Sequence, residues 1–196
     1  MIRGLALSIL TLLPSIALCD TISLLGVNNL SKPTASDSSY SAKSAIGAGA
    51  FYEFNFSDTY ALELGVVDVD RKYQNDTNTI QYTQKMIQLP LLFRIHLGSN
   101  LAFGLGGYFS FFPGDYKTEY LSNGTSTTTS YDAAGLKKTD YGAVSSFAYF
   151  YPLSERFNLV GEVRDNLGIK DNRVNTSLPK LHVNDIQFFL GARLEL

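Results

Sequence analysis

The chain has little of several residue types that soluble globular proteins use freely. Its 196 residues include no Trp, one Cys and two His, and only 17% are Asp, Glu, Lys or Arg, where about 25% is usual. One Cys excludes an internal disulfide, and two distant His do not make a metal cluster. A formal charge of −2 with no basic stripe argues against nucleic acid. We therefore predict no cofactor, no metal site and no nucleic-acid partner.

The first nineteen residues read as a secretory signal peptide. Arg3 supplies the positive start, Leu5 to Leu13 forms a short apolar stretch, and Ala17-Leu18-Cys19 places small residues for cleavage before Asp20. This apolar run is shorter than the roughly 20 residues that span a bilayer as a helix, so a membrane anchor is the weaker reading. Lipidation of Cys19 is a second alternative. Residues 20–196 then form one domain.

Beyond residue 19 the chain lacks any apolar run long enough for a transmembrane helix and shows alternation instead. In the stretch from residue 87 to 97, large apolar side chains such as Leu89, Leu91 and Phe93 alternate with Arg94 and other smaller or polar residues. A period of two indicates a β-strand. Eight such strands are predicted, at about residues 21–29, 42–56, 60–67, 80–97, 101–112, 139–151, 157–164 and 186–196. Pro90 predicts a bulge or local break in the fourth.

The connections between these strands alternate between long and short. Polar loops at 31–40, 74–79, 113–138 and 170–180 alternate with turns at 57–59, 98–100 and 152–156. This asymmetry is typical of an outer-membrane barrel with long external loops and short periplasmic turns. The sequence therefore predicts an all-β, eight-stranded, antiparallel, up-and-down transmembrane β-barrel in the outer membrane of a Gram-negative cell, in contact with its lipid. Two aromatic girdles are predicted, one at Phe54, Phe56, Tyr60, Tyr149, Tyr151 and Phe157, the other at Tyr82, Phe109, Phe111 and Tyr141.

The inward positions of the predicted strands carry small residues and charges. The small ones include Gly47, Gly49, Gly65, Gly104, Gly106, Gly142 and Gly191. The charged ones are Glu53, Glu63, Arg94, Glu162, Arg164, Arg193 and Glu195. An eight-stranded barrel is filled by its own side chains, and an unpaired buried charge is costly. We therefore predict a lumen charge network that acts as a salt-bridged plug, with a proton or ion path as the alternative.

Other candidate sites are weaker. His96 faces inward, where a lumen hydrogen bond is its expected role, and His182 lies beside Asn184 and Asp185 near the outer end of the last strand. Lipid A hydrolases of the barrel type use a His, a Ser and an acid on the outer wall, but no Ser partner for His182 is evident. Tyr116, Tyr120 and Tyr131 lie in the longest loop, which is either a binding surface or a solvated mobile segment.

Two short stretches resemble a known family. Gln88-Leu89-Pro90-Leu91-Leu92-Phe93-Arg94 and the Gly-rich Phe103–Tyr108 resemble strands of the small bacterial outer-membrane β-barrel family that includes the PorT-like proteins. The end of the chain, Gly191 followed by Leu194 and Leu196, resembles the signal that the barrel-assembly machinery reads. The resemblance implies the fold, the location and that machinery as a partner during biogenesis, and little about activity.

Together these features predict a monomeric barrel with a filled lumen and no enzymatic activity. Its role is structural or a surface interaction through the external loops with an unidentified ligand, and it is not a wide pore. A soluble lipocalin-like barrel is the first alternative and requires the large apolar faces to point inward. An outer-membrane lipid hydrolase is the second.

Overall fold

The structure is a computed structural model. It describes residues 20–35, 40–75, 77, 79–175, 177 and 179–196. The predicted signal peptide at residues 1–19, Cys19 included, lies outside the described residues. The strands are β1 (Thr21–Thr34), β2 (Tyr40–Asn55), β3 (Tyr60–Asn75), β4 (Ile80–His96), β5 (Leu101–Phe111), β6 (Tyr116–Tyr120), β7 (Thr125–Thr129), β8 (Thr139–Pro152), β9 (Phe157–Gly168) and β10 (His182–Glu195).

Eight of these strands close into a ring. Each of β1, β2, β3, β4, β5, β8, β9 and β10 is antiparallel to its neighbours, and the pairing of β3 with β4 completes the closure. The predicted fold class is therefore confirmed. Closure leaves no free edge within the ring, which is what a lipid environment demands of a sheet. None of the described residues forms a helix with the length and apolarity to cross a bilayer.

The hydrogen-bond register fixes the inclination of the strands. Starting at Thr21 and crossing directly opposite residues from strand to strand, the path returns to β1 at Ser31, ten residues further along. This stagger and the strand number together set the width and tilt of a barrel, and closed barrels commonly tilt by roughly 35–45°. Eight strands enclose a lumen only wide enough for side chains.

The two faces of the wall have opposite character, as the alternation predicts. On β4 the residues Leu89, Leu91 and Phe93 are 43%, 52% and 46% exposed, whereas Leu92 and Arg94, at the alternate positions, are buried. The same alternation runs through every strand of the ring. The bulky apolar face therefore looks outward toward lipid. This excludes the lipocalin-like alternative, which needs that face on the inside.

The first strand is longer than predicted, and Pro90 causes the local break that was one of its two predicted effects, but no bulge. The first strand continues to Thr34, into the segment predicted as a loop, because its register with β10 persists to that residue. Pro90 causes no register shift, since β4 keeps one register with β3 and with β5. Only the β3–β4 pairs opposite Pro90 and Leu89 are missing, on the side where the ring nitrogen has no hydrogen to donate. The register shift lies instead in β2, between Lys43 and Ala48.

The predicted loop 113–138 contains the hairpin β6–β7. Strand β6 pairs with the outer end of β4, from Thr83 opposite Lys117 to Ile80 opposite Tyr120. The sheet thus has ten strands, of which eight form the ring. The hairpin stands above the lipid-facing band, because the outward side chains of β4 at this level are polar, as at Lys85 and Thr83.

The aromatic girdle near the short turns is present as predicted. Its six rings, those of Phe54, Phe56, Tyr60, Tyr149, Tyr151 and Phe157, are all exposed on the outer wall. In the second girdle Phe109 and Tyr141 are exposed outward. The prediction that Tyr82 belongs to this girdle is wrong, because its ring points away from the outer wall and stacks on Tyr116 of the hairpin, with 5.6 Å between ring centroids.

Candidate functional site

Six charged side chains from five strands meet in the periplasmic half of the lumen. They are Glu53 on β2, Glu63 on β3, Arg94 on β4, Glu162 and Arg164 on β9, and Arg193 on β10, and we call them the charge plug. None is more than 7% exposed. Each occupies an inward position of its strand, so the alternation of the sequence delivers all six to one interior. Three arginines face three glutamates, which balances the charge.

Arg94 connects the members of the charge plug. Its Nη2 lies 2.6 Å from Glu63 Oε2 and 2.7 Å from Glu162 Oε1, and its Nε lies 3.4 Å from Glu53 Oε2. One guanidinium thus reaches carboxylates on three strands. The two Nη2 contacts have the length of charge-assisted hydrogen bonds, which are the strong class, whereas the Nε contact is a longer ion pair. In a site shielded from water these contacts hold the strands together only while every partner is present.

Arg164 and Arg193 complete the charge plug and stack on aromatic rings. Arg164 contacts Glu63 and Glu162, each at 2.8 Å, and its guanidinium packs against the rings of both Phe51 and Phe189, 4.3 and 4.7 Å from their centroids. Arg193 contacts Glu53 at 2.9 Å. Planar guanidinium groups stack on aromatic faces and keep their edges free for carboxylates.

His96 and Glu195 lie at the periplasmic border of the charge plug. His96 Nε2 is 3.0 Å from Glu53 Oε1, the lumen hydrogen bond expected from the sequence. Glu195 accepts a hydrogen bond of 3.1 Å from Asn158 Nδ2. Both border a cavity of about 260 Å³ that opens at this end of the barrel. Glu195 therefore sits beside the network rather than among its Arg–Glu contacts.

Small residues make room for these long side chains. Arg94 stands directly between Ala61 of β3 and Gly104 of β5. The ring of Phe51 covers Gly49 and Gly65, and a Cβ at Gly49 would come within 2.8 Å of it. Larger residues at these inward positions would displace the ring that supports Arg164. The predicted small inward face is thus the space that the aromatic and ionic side chains occupy.

A second buried ionic cluster lies further out and was missed by the sequence analysis. Arg71 Nη1 is 3.0 Å from Asp140 Oδ2, and Arg71 Nη2 is 2.5 Å from Asp185 Oδ2, with all three side chains fully buried. Tyr108 lies 3.5 Å from the same oxygen of Asp140. A signal existed in the sequence, because the inward alternation of the third strand continues through Val69 to Arg71.

Above this cluster lies a group of packed aromatic rings that we call the tyrosine cap: Tyr73, Tyr82, Phe112, Tyr116 and Tyr131. Tyr73 and Tyr116 share a hydrogen bond of 3.2 Å between their hydroxyls, and Phe112 stacks on Tyr131 at 5.8 Å. Burial, with Tyr73 adding to it, raises the pKa of Tyr116 well above its usual range. Two of the three tyrosines predicted on a solvated or ligand-binding loop are therefore core residues, and only Tyr120 is exposed.

Among the described residues, the acid that the sequence places beside His182 does not join it in a hydrolase triad. Asp185, the acid beside it in sequence, points into the lumen toward Arg71. His182 belongs to the opposite face of β10, because successive strand residues alternate. Across the described part of the chain, no three His, Cys, Asp or Glu side chains are grouped so that they would hold a metal ion.

Comparison with known proteins decides the family. The sequence profile of the family described as "Outer membrane protein beta-barrel domain" matches residues 22–173, which is most of the chain. The chain belongs to this family. The predicted resemblance and the outer-membrane location are thereby confirmed, and the barrel contacts outer-membrane lipid. No curated protein matches the sequence.

Solved structures with the same fold are bacterial outer-membrane proteins. The barrel is similar to OprG from Pseudomonas aeruginosa, with a TM-score of 0.53 at 14% identity over 91% of this chain and 96% of that one. It is similar to Neisserial surface protein A, with a TM-score of 0.52 at 13% identity over 89% of this chain and 97% of that one. It is also similar to Ail of Yersinia pestis in complex with a heparin analogue, with a TM-score of 0.50 at 11% identity over 90% of this chain and 100% of that one. At such identities the likeness shows the fold alone.

Proposed function

We propose that the barrel is a closed outer-membrane scaffold whose lumen does not conduct and whose external segments act at the cell surface. The observation that carries this proposal is the interlocked burial of the charge plug, six side chains from five strands with Arg94 at their centre. The tyrosine cap blocks the same lumen at its outer end. A passage for solutes would have to break both.

Conductance of the purified barrel in planar bilayers tests this proposal. The wild type is expected to give no large stable steps, because opening a path requires separating buried ion pairs. A variant with Arg94→Ser and Arg164→Ser removes the two central cations of the charge plug and is expected to leak. Lys85→Ser, which removes an exposed cation 3.6 Å from Asp68, is the matched control. Large, stable, open channels from the wild type would contradict the proposal and favour an ion path.

We also propose that the barrel has no enzymatic activity. Both histidines support this, since His96 is engaged with Glu53 and His182 is on the face opposite to Asp185. Cells that carry the wild type and cells that carry His182→Ala should therefore yield lipid A of identical mass spectrum. Deacylated lipid A that depends on His182 would show a hydrolase instead.

We further propose that the barrel is a monomer and that Gly191, Leu194 and Leu196 form its assembly signal. Leu194 and Leu196 face lipid, 41% and 56% exposed, and a Cβ at Gly191 would overlap the backbone of β1 at Leu24. We expect the barrel-assembly machinery to read this strand. Leu194→Asn should lower the amount of folded barrel in cells but leave folding of the purified chain in detergent unchanged. An equal loss in both settings would point to stability rather than recognition.

A further inference from the structure

The outermost strand of the hairpin leaves one sheet edge open. Among the described residues, β7 pairs only with β6, and it is the last strand of the sheet. Its sequence is Thr-Ser-Thr-Thr-Thr, and the four residues Thr125–Thr128 are exposed. The closed ring has no comparable edge. One row of backbone N–H and C=O groups therefore remains available to another strand, outside the membrane.

This edge is short, at five residues, but it lacks the other sequence features by which proteins usually prevent strand addition. Besides being short, natural edge strands carry Lys, Pro, a bulge or an inward-pointing charge. Strand β7 has no charge and no proline, and its register with β6 is unbroken over five residues. Four of its five residues are β-branched threonines, which favour extended backbone. The strand is built to accept a partner strand rather than to repel one.

The sequence of β7 indicates which strand would fit. In an antiparallel pair of two β7 strands centred on Thr127, Thr125 lies opposite Thr129 and Ser126 lies opposite Thr128. Every cross-strand pair is then Thr–Thr or Ser–Thr, a favourable combination, and no like charges meet. We propose that β7 binds β7 of a second copy of this chain. The proposal rests on the surface role given under Proposed function and names the partner.

The geometry of the barrel places that second copy in a facing membrane. Copies within one membrane have the same orientation, and rotation about the membrane normal leaves the direction of a strand along that normal unchanged. Antiparallel strands need opposite directions. Strand β7 runs alongside β6 and the outer end of β4, so it has a component along the barrel axis. Two copies can therefore pair only when two outer membranes face each other.

Each such contact is short, so strong attachment at a cell surface requires many copies that pair at the same time. Five residues pair in each contact, which is weak alone, whereas many copies on two facing membranes act together. The chain is thus inferred to hold cells of its own kind together by adding strand to strand.

Docking of vesicles that carry the barrel tests this inference. Two populations of zwitterionic phospholipid vesicles, labelled with a donor and an acceptor dye, each contain purified folded chain. Wild-type vesicles are expected to dock with wild-type vesicles. Thr127→Lys on both sides should reduce docking by about fivefold or more, because two like charges meet at every contact and the effect multiplies over copies. Thr127→Glu on both sides should do the same.

The decisive arm mixes Thr127→Lys vesicles with Thr127→Glu vesicles. Docking should recover there, since opposite charges then face each other across the centre of the pair. Ser122→Lys, in the turn of the same hairpin, is the matched control and should dock like the wild type. Docking that ignores Thr127, or that fails to recover in the mixed arm, would overturn the inference, as would wild-type vesicles that do not dock. Conductance is measured on the same protein, so a failure of the proposed closed scaffold is recognised separately.

Discussion

The charge plug and the tyrosine cap lie at two levels of the same barrel and differ in chemistry. The charge plug links five strands through buried ion pairs, with Arg94 contacting three carboxylates. The tyrosine cap consists of stacked rings and one hydroxyl pair near the outer end. The first lies between strands that face lipid, and the second lies where the outer wall has become polar. In the charge plug every buried charge needs its partner, whereas the tyrosine cap can lose one ring and keep the packing of the others.

This difference has an energetic reason. Removing one member of a buried ionic network leaves its partners charged and unpaired, which costs roughly 3–5 kcal/mol. Removing an aromatic ring costs packing, and the neighbouring rings can relax into part of the space. In addition, Tyr116 of the tyrosine cap lies on the hairpin β6–β7, which is not part of the ring of eight strands. We therefore expect damage to the charge plug to be global and damage to the tyrosine cap to be local.

The largest effect is predicted for Arg94→Met. Met replaces Arg94 with an unbranched apolar side chain, so that Glu53, Glu63 and Glu162 lose the cation that they share. The free energy of unfolding should fall by about 3–5 kcal/mol, measured by urea titration of the purified barrel in lipid vesicles, with heat-modifiable gel mobility as the test of folding.

Two further variants show whether this loss comes from stranded charge. Arg156→Met removes an exposed arginine from a periplasmic turn and should change stability by less than about 0.5 kcal/mol. Adding Glu63→Gln to Arg94→Met should recover part of the loss, because one unpaired carboxylate disappears. A loss below about 1 kcal/mol for Arg94→Met would mean that the charge plug does not hold the strands.

The charge plug was the more predictable of the two regions. Its six members all lie on strands whose alternation is visible in the sequence, so their inward orientation follows from counting residues. Their individual contacts did not follow, because the partner of Arg94 depends on strand register and stagger. Glu195 shows the limit, since it shares the inward orientation but bonds Asn158 at the border.

The tyrosine cap was not predictable by the same counting. Tyr116 and Tyr131 lie among Ser, Thr and Gly in a segment with the composition of a solvated loop. Their burial depends on the pairing of β6 with the outer end of β4, a contact between segments distant in sequence. The inward position of Arg71 follows from the same counting, but the predicted third strand ends at residue 67, before the charged stretch that contains Arg71.

The next largest effect is predicted for Tyr116→Ala, and it should be local. The hairpin would lose the ring that stacks on Tyr82 and the hydroxyl that meets Tyr73. Trypsin should then cleave near Lys117, Lys137 and Lys138 at least about tenfold faster, because cleavage follows the opened fraction of the segment. Mobility of the barrel on gels should stay unchanged.

Tyr120→Ala is the matched control, since Tyr120 lies on the same strand but is exposed. Its cleavage rate should stay near that of the wild type. If Tyr116→Ala instead unfolds the whole barrel, the tyrosine cap is part of the same cooperative unit as the charge plug, and the proposed contrast between them is wrong.

The smallest effect is predicted for the loop that lies beside the tyrosine cap. Leu136 bridges to Arg173, which links the segment after the hairpin to the loop before β10. In that loop Asp171 Oδ1 accepts hydrogen bonds of 3.0 Å from the backbone N–H groups of Arg173 and Leu181. Burial is the largest single influence and opposes ionisation, but these two donors, with Lys137 and His182 nearby, together outweigh it and lower the pKa of Asp171.

The sign of the pH dependence follows from that lowered pKa. An ionised Asp171 favours the closed loop, so this contribution is complete above about pH 3.9, the ordinary value for Asp, and is lost as the pH falls through the lower value of the folded state. The NMR shift of the Leu181 amide proton should therefore titrate with a midpoint below about 3.9, and it should not titrate in Asp171→Asn. Asp132→Asn, in the neighbouring external segment, should leave the titration intact. A midpoint at or above the ordinary value would mean that the two backbone donors do not hold the carboxylate, and that the loop is held by its other contacts, such as the Leu136–Arg173 bridge and the hydrogen bond from Lys137 Nζ to the carbonyl of Asp171.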